Sequence, residues 1–251
     1  MRADVAIGTD VAALGADGAG TGVVWLTRSE RAVPPGDEWL SPAEEERAAG
    51  LIVAIRRRGW RLRRWTAKEG LVALLGPRVG PLSAIDVANR PDGAPVVWRS
   101  GKPLPVSLSL SDRAGWAACA LAPAGVAVGC DLELIEPRSP AFVADWLTPA
   151  EQDLVARSAD PALAANLVWS AKESALKVIG EGLRRPTRSV EVRVDPDAPG
   201  GRRFQPLLVS LTEGGELSGW WRRLGGYVLT LVDSDPGLPD PPTFLGGPVP
   251  R

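Results

Sequence analysis

The chain contains no histidine. That absence removes Ser-His-Asp triads, Cys-His pairs, histidine-based zinc sites and every imidazole acid–base mechanism. A general base must then be a carboxylate, a lysine, a cysteine, water or the single tyrosine, Tyr227. Cysteine is nearly as scarce. Cys119 and Cys130 lie in apolar, strand-like runs and read as small buried hydrophobes rather than a disulfide, which suits a reducing compartment and makes the cytoplasm the expected location. No run of about 18 apolar residues is present to span a bilayer. Asp4, Asp10 and Asp17 interrupt the opening segment where a secretory signal needs an unbroken apolar stretch. A net charge of -1 gives no broad basic surface for nucleic acid, so neither nucleic acid nor a membrane is expected as a partner.

What is present is a globular composition: 251 residues, 45% hydrophobic and 24% charged, enough to bury a core as one body or two small lobes. Residues 1–22 read as a flexible, glycine- and alanine-rich extension, and residues 236–251 as an irregular proline- and glycine-rich tail. Arg56, Arg57, Arg58, Arg61, Arg63 and Arg64 form a dense local patch, either a solvated helix face or a site for a phosphate or an acidic partner.

Patterning predicts strands near Val23–Leu26, Ile85–Val87, Val96–Trp98, Val106–Leu110 and Trp116–Leu121, with helices over Pro42–Ile55 and Arg61–Leu75. The turn Pro123-Ala124-Gly125 ends a first lobe, residues 23–122. The second lobe, 123–235, opens with the apolar strand Val126–Leu134. A less regular stretch holding Phe142 and Trp146 follows, then a helix capped by Thr148, Pro149 and Glu151. Next come a long helix from Pro161 to near Gly180 and strands at Val190–Val194, Leu207–Leu211, Leu217–Trp221 and Tyr227–Val232. The fold class is α+β, helices packed on antiparallel sheets. No internal repeat is read from the sequence.

The chemistry concentrates in two strings. In Gly129-Cys130-Asp131-Leu132-Glu133, strand alternation puts Asp131 and Glu133 on one face. In Trp169-Ser170-Ala171-Lys172-Glu173-Ser174-Ala175-Leu176-Lys177, helical spacing puts Trp169, Glu173 and Lys177 on one stripe. Taken singly, Asp131 and Glu133 could be a solvated strand face, and Glu173 with Lys177 an ordinary helix pair. If strand and helix meet, three carboxylates can hold a hard divalent cation while Lys177 reaches the anion gathered there.

Together the strings resemble the signature motifs of the 4'-phosphopantetheinyl transferase superfamily, in its larger, two-lobed, surfactin-synthetase-activating class. Leu40-Ser41-Pro42-Ala43-Glu44, Arg64-Trp65-Thr66-Ala67-Lys68, Gly101-Lys102-Pro103, Ser107-Leu108-Ser109-Leu110-Ser111 and Gly180-Glu181-Gly182-Leu183 extend the resemblance from about Val23 to Val232. It implies two similar lobes related by a pseudo-twofold axis, with the active site between them. It also implies a monomeric, cytoplasmic holo-[acyl-carrier-protein] synthase. Such an enzyme moves the 4'-phosphopantetheine arm of coenzyme A onto a serine of an apo acyl or peptidyl carrier protein of polyketide, nonribosomal-peptide or fatty-acid synthesis. A carrier-binding scaffold without chemistry and a metal-dependent hydrolase of the coenzyme A pyrophosphate are the alternatives.

The resemblance assigns Mg²⁺ to Asp131, Glu133 and Glu173, and catalysis to Glu173 as base and Lys177 on the leaving phosphate. Arg58, Lys68, Lys102, Ser111, Asp112, Arg113 and Lys172 are expected to face the nucleotide. The family commonly places a histidine, reaching the 3'-phosphate of coenzyme A, where this chain has Asp112. Either Arg113 and the arginine patch neutralise Asp112 and take over that phosphate, or the pocket no longer favours it. Trp146 is either an anchor for the carrier or a plug in the core.

Overall fold

The computed structural model describes residues 22–198, 203–235 and 241–250. The expected N-terminal extension lies outside the described residues except for Gly22. The first part of the chain runs β1 (Val24–Ser29), α1 (Pro42–Ala49), α2 (Ala54–Leu75), β2 (Ile85–Asn89), β3 (Pro95–Arg99), β4 (Lys102–Pro103), β5 (Val106–Arg113) and β6 (Trp116–Pro123). The second runs β7 (Val128–Leu134), α3 (Pro140–Trp146), α4 (Pro149–Arg157), α5 (Pro161–Ile179), β8 (Val190–Val194), β9 (Gln205–Leu211), β10 (Glu216–Leu224), β11 (Tyr227–Asp233) and β12 (Thr243–Phe244). The expected α+β class is therefore observed. No helix among the described residues is long and apolar enough to cross a membrane.

Three boundaries differ from the sequence reading. α1 stops at Ala49 and α2 starts at Ala54, so Arg56–Arg58 belong to the second helix. Gly50 followed by Ile52 and Val53 interrupts the helix because glycine and β-branched residues are poor helix formers. The stretch around Phe142 and Trp146 is helical, opened by Pro140 and by Ser139, whose Oγ accepts the Phe142 amide at 3.1 Å. The C-terminal tail is not wholly irregular. Thr243 and Phe244 pair in parallel with Val24 and Trp25, Phe244 tilts onto Trp25 at 4.6 Å, and Thr27 Oγ1 donates to the Pro248 carbonyl at 2.7 Å.

The sheets are ordered β12-β1-β6-β5, β2-β3-β4 and β7-β11-β10-β9-β8. α5 lies across the last of these through Leu167, Val168, Ala171 and Ala175. It lies so close to β7 that a Cβ at Gly129 would overlap the Ser174 carbonyl, which is why glycine precedes Asp131 by two residues.

An internal repeat, not read from the sequence above, is present in it. Trp39-Leu40-Ser41-Pro42-Ala43-Glu44 recurs as Trp146-Leu147-Thr148-Pro149-Ala150-Glu151, and Trp65-Thr66-Ala67-Lys68-Glu69 as Trp169-Ser170-Ala171-Lys172-Glu173. Each pair of segments makes the same latch. Ser41 and Glu44 form a capping box on α1, and Glu44 Oε1 also accepts the Val87 amide at 3.0 Å. Lys68 Nζ sits 2.5 Å from Glu44 Oε2 and donates to the carbonyls of Trp39 and Leu82. Thr148 and Glu151 cap α4, Glu151 Oε1 accepts the Val192 amide at 2.7 Å, and Lys172 Nζ sits 2.8 Å from Glu151 Oε2 while donating to Thr187 and Val190 carbonyls. All four charged side chains are at most 2% exposed. Burial lowers the ammonium pKa of Lys68 and Lys172, and the facing glutamates oppose that shift. Lys68 and Lys172 were expected to face a nucleotide; both are instead sealed into the protein.

Candidate active site

β7 and α5 bring Asp131, Glu133, Glu173 and Lys177 together as their spacing requires. Asp131 Oδ1 accepts from Ser111 Oγ at 2.8 Å and from Lys177 Nζ at 2.9 Å; Lys177 also donates to the Cys130 carbonyl at 2.7 Å. Asp131 Oδ2 is buried with no hydrogen-bond partner among the described residues. Hydroxyls absent from the sequence reading hold helix to sheet: Ser170 and Ser174 each meet Thr230 Oγ1 at 2.8 Å, and Ser170 donates to the Asp131 carbonyl. They fall at i and i+4 on the face of α5 opposite a strand threonine, a pattern that could have revealed them.

Glu173 makes no hydrogen bond or ion pair among the described residues, and burial, Asp131 and Glu133 hold its carboxyl above the usual range against the pull of Lys177. Burial works against the charge on Lys177, but Asp131, the Cys130 thiol and Glu173 outweigh it and raise the ammonium above its ordinary value. Cys130 is pushed up to about 11, chiefly by burial, so it is no thiolate nucleophile at neutral pH. Tyr227 donates to the Ala114 carbonyl at 3.0 Å, and burial raises its phenol. Among the candidate bases, Asp131 keeps one oxygen free beside Lys177, and Glu173 is the carboxylate there with neither oxygen committed to a hydrogen bond among the described residues.

Glu133 departs from its expected role. Trp169 Nε1 donates to Oε1 at 3.1 Å, while Arg138 at 3.1 Å and Arg113 at 3.4 Å both face Oε2. Its charge is already matched, and among the described residues no group of three or more His, Cys, Asp or Glu side chains is gathered to hold a metal ion. The orphaned Asp131 Oδ2 and the uncommitted Glu173 fit a hard cation; Glu133, clamped by two arginines, does not as placed.

A cleft of about 580 Å³ adjoins this cluster. It opens where the first half's strands part, since β5 ends one sheet and β3 lies in another. Trp60, Arg63 and Arg64 of α2 line it, with Asn89, Arg90 and Val96 of the β2–β3 hairpin, Ser107 and Ser109 of β5, and Lys177 with Val178 of α5. Lys177 thus belongs to the cleft and to the carboxylate cluster at once. Arg64 stacks 5.0 Å from Trp60 and donates to Asn89 Oδ1 at 2.7 Å; burial lowers its pKa to about 10, and its Nε has no hydrogen-bond partner among the described residues.

The remaining expected nucleotide contacts are scattered. Ser111 serves Asp131, and Arg113 serves Glu133 and Glu136. Asp112 is ion-paired with Arg63, so the arginine patch rather than Arg113 neutralises it. Arg58 and Lys102 are exposed, on α2 and on β4, and neither lines the cleft. Trp60, Asn89 and Arg90 line it without having been anticipated; Trp60 stands one helical turn before Arg63 and Arg64, a spacing that could have flagged it. Near the clamped Glu133, Trp169 meets Phe142 and Trp146 edge-to-face while those two rings are tilted toward each other, with Trp146 38% exposed, so Trp146 is neither fully a plug nor free of the core.

Residues 127–232 match the family model of the 4'-phosphopantetheinyl transferase superfamily. The match takes in Asp131, Glu133, Glu173 and Lys177, covers less than half of the chain, and leaves out the α2 side of the cleft. No curated protein matches the chain.

Proposed function

We propose that the protein transfers the 4'-phosphopantetheine arm of coenzyme A to a serine hydroxyl of an apo acyl or peptidyl carrier protein, releasing adenosine 3',5'-bisphosphate. The observation that carries this reading is Lys177, which lines the cleft while bonding Asp131 beside an uncommitted Glu173. The superfamily match over the same residues supports a transferase and phosphopantetheine as the group moved.

An ammonium has three donors, and Lys177 commits two, to Cys130 and Asp131. The third is available to a phosphate oxygen in the cleft, where it offsets charge on the departing nucleotide. Glu173, raised by burial, accepts the proton of the acceptor serine as the hydroxyl attacks phosphorus. Asp131 and Glu173 are the residues that would hold Mg²⁺, which favours one or two carboxylates together with substrate phosphate. When bound, the cation supplies charge neutralisation at the pyrophosphate. Arg63, Arg64 and Arg90 suit the nucleotide end of the donor, in place of Lys68 and Lys172. The repeated latches support a pseudo-twofold relation between two lobes, with the cleft between them. Trp146 and Phe142 suit an apolar face of the carrier.

The test is to incubate the protein with coenzyme A, Mg²⁺ and a purified apo acyl carrier protein and to weigh all products by mass spectrometry. A carrier heavier by one phosphopantetheine supports the proposal. Cleaved coenzyme A with an unchanged carrier makes the protein a hydrolase, and carrier binding with neither makes it a scaffold.

A further inference from the structure

The start of α2 is built against its own stability. Ile52, Val53 and Ile55 are 95%, 51% and 69% exposed, a run of aliphatic surface that a soluble protein ordinarily covers. Val53 occupies the N-cap position with no side-chain cap, and the first turn has no acidic residue. Arg56, Arg57 and Arg58 stand there instead, where the positive end of the helix dipole disfavours cations. Arg57 has only an exposed pair with Asp37 at 3.5 Å, and Arg56 and Arg58 are exposed with no ion pair among the described residues.

All three liabilities are relieved by one kind of partner: a protein surface with an apolar centre ringed by carboxylates. Its apolar centre covers Ile52, Val53 and Ile55, and its carboxylates face Arg56, Arg58 and the uncapped amides. Position along the helix says which protein this is. Arg56 stands one turn before Trp60 and two before Arg63 and Arg64, so the ridge continues the stripe of α2 that lines the cleft. A partner seated there is held beside the cleft that must receive an acceptor hydroxyl.

We infer that the ridge Ile52–Arg58 is a docking surface for the acceptor protein, separate from the aromatic cluster of Phe142, Trp146 and Trp169, and that it binds an acidic face of that protein. This rests on the proposed transfer reaction.

The experiment pairs Arg56→Glu/Arg58→Glu with Ile52→Ser/Ile55→Ser, all at exposed positions, with circular dichroism to confirm folding. Binding of a purified apo acyl carrier protein is measured by calorimetry, and transfer kinetics are measured separately for that carrier, for a short serine peptide cut from it, and for coenzyme A. The expected result is an acceptor KM and Kd raised by about tenfold in each variant, with less salt dependence in the arginine pair. The KM for coenzyme A, the kcat, and the KM for the short peptide stay unchanged. Carrier Kd and KM identical to the parent in both variants overturn the inference. So does a loss of binding confined to phosphatidylserine vesicles, which would make the ridge a lipid contact. If the parent binds the carrier without modifying it and the variants lose that binding, the docking surface stands and the transfer reading fails.

Discussion

The two halves of the molecule share a frame and differ in what they hang on it. Both have a Trp-Leu-Ser/Thr-Pro-Ala-Glu cap, a Trp-Ser/Thr-Ala-Lys-Glu helix and a buried lysine–glutamate latch. In the second half the glutamate after the latch lysine, Glu173, has no hydrogen-bond or ion-pair partner among the described residues, Lys177 follows one turn on, and the strand beneath supplies Asp131. In the first half the corresponding Glu69 is paired with Arg28 at 3.3 Å and Ala73 stands where the second lysine would be. The sheets differ in the same sense. The second half has five strands in continuous order, whereas in the first half β5 and β3 belong to separate sheets and the cleft enters between them. A frame that carries a paired acid in one half carries in the other an acid without a hydrogen bond, a second lysine and a gap that reaches them.

The comparison breaks most sharply at the carboxylates. Asp131→Asn or Glu173→Gln should cut kcat by about a hundredfold or more while the protein remains folded. Glu69→Gln, the same change in the first half, should leave kcat within about twofold. Transfer rates for the three variants, with circular dichroism, decide this; equal losses in all three would dissolve the distinction.

The latches should behave alike in stability and differently in function. Lys68→Met or Lys172→Met strands a buried glutamate and should cost roughly 3–5 kcal/mol in urea unfolding. Activity at saturating substrate should fall only for Lys172→Met, because that latch orients the helix bearing Glu173. Adding Glu151→Gln to Lys172→Met should recover most of the stability. A fall in kcat for Lys68→Met matching that of Lys172→Met would show that the first-half latch governs the site as well.

Lys177 sharpens the contrast with Ala73. Lys177→Met should lower kcat by about a hundredfold, the scale of losing one preorganised donor to developing charge. If stability drops markedly while the rate does not, Lys177 serves the fold and not the phosphate.

The smallest effect concerns the central strands. β6 ends at Pro123, whereas β11 ends at the buried Asp233, whose carboxyl burial raises to about 6 from an ordinary 3.8. Sign follows from proton binding: between those values the native state holds more protons than the unfolded chain, so stability falls as pH rises through them. Asp233→Asn should therefore stabilise by on the order of 2 kcal/mol near pH 8 and by almost nothing near pH 4. A gain independent of pH in paired urea titrations would remove the charge from the explanation.

The proximity of the carboxylates and Lys177 was legible because its geometry is local. Strand alternation places Asp131 beside Glu133, and helical spacing places Glu173 above Lys177. Electrostatic partners were not legible in this way, because Glu133 meets Arg113 and Arg138 only through tertiary packing. The family resemblance pointed Lys68 and Lys172 toward the nucleotide, yet burial against a capping glutamate was signalled by the recurrence of both motifs in one chain. Arg56–Arg58 fall in the second helix because Gly50, Ile52 and Val53 break the first one earlier than the apolar pattern over Pro42–Ile55 suggests.

The pairing of β12 with β1 bears on how the chain is made. Thr27 and the Pro248 carbonyl that its hydroxyl engages are 221 residues apart, so during synthesis the outer edge of β1 waits for that distant segment to emerge. An open edge strand is where another chain can add. The late segment around Thr243 and Phe244 therefore covers a hydrogen-bonding rim of β1 that a nascent neighbour could otherwise claim.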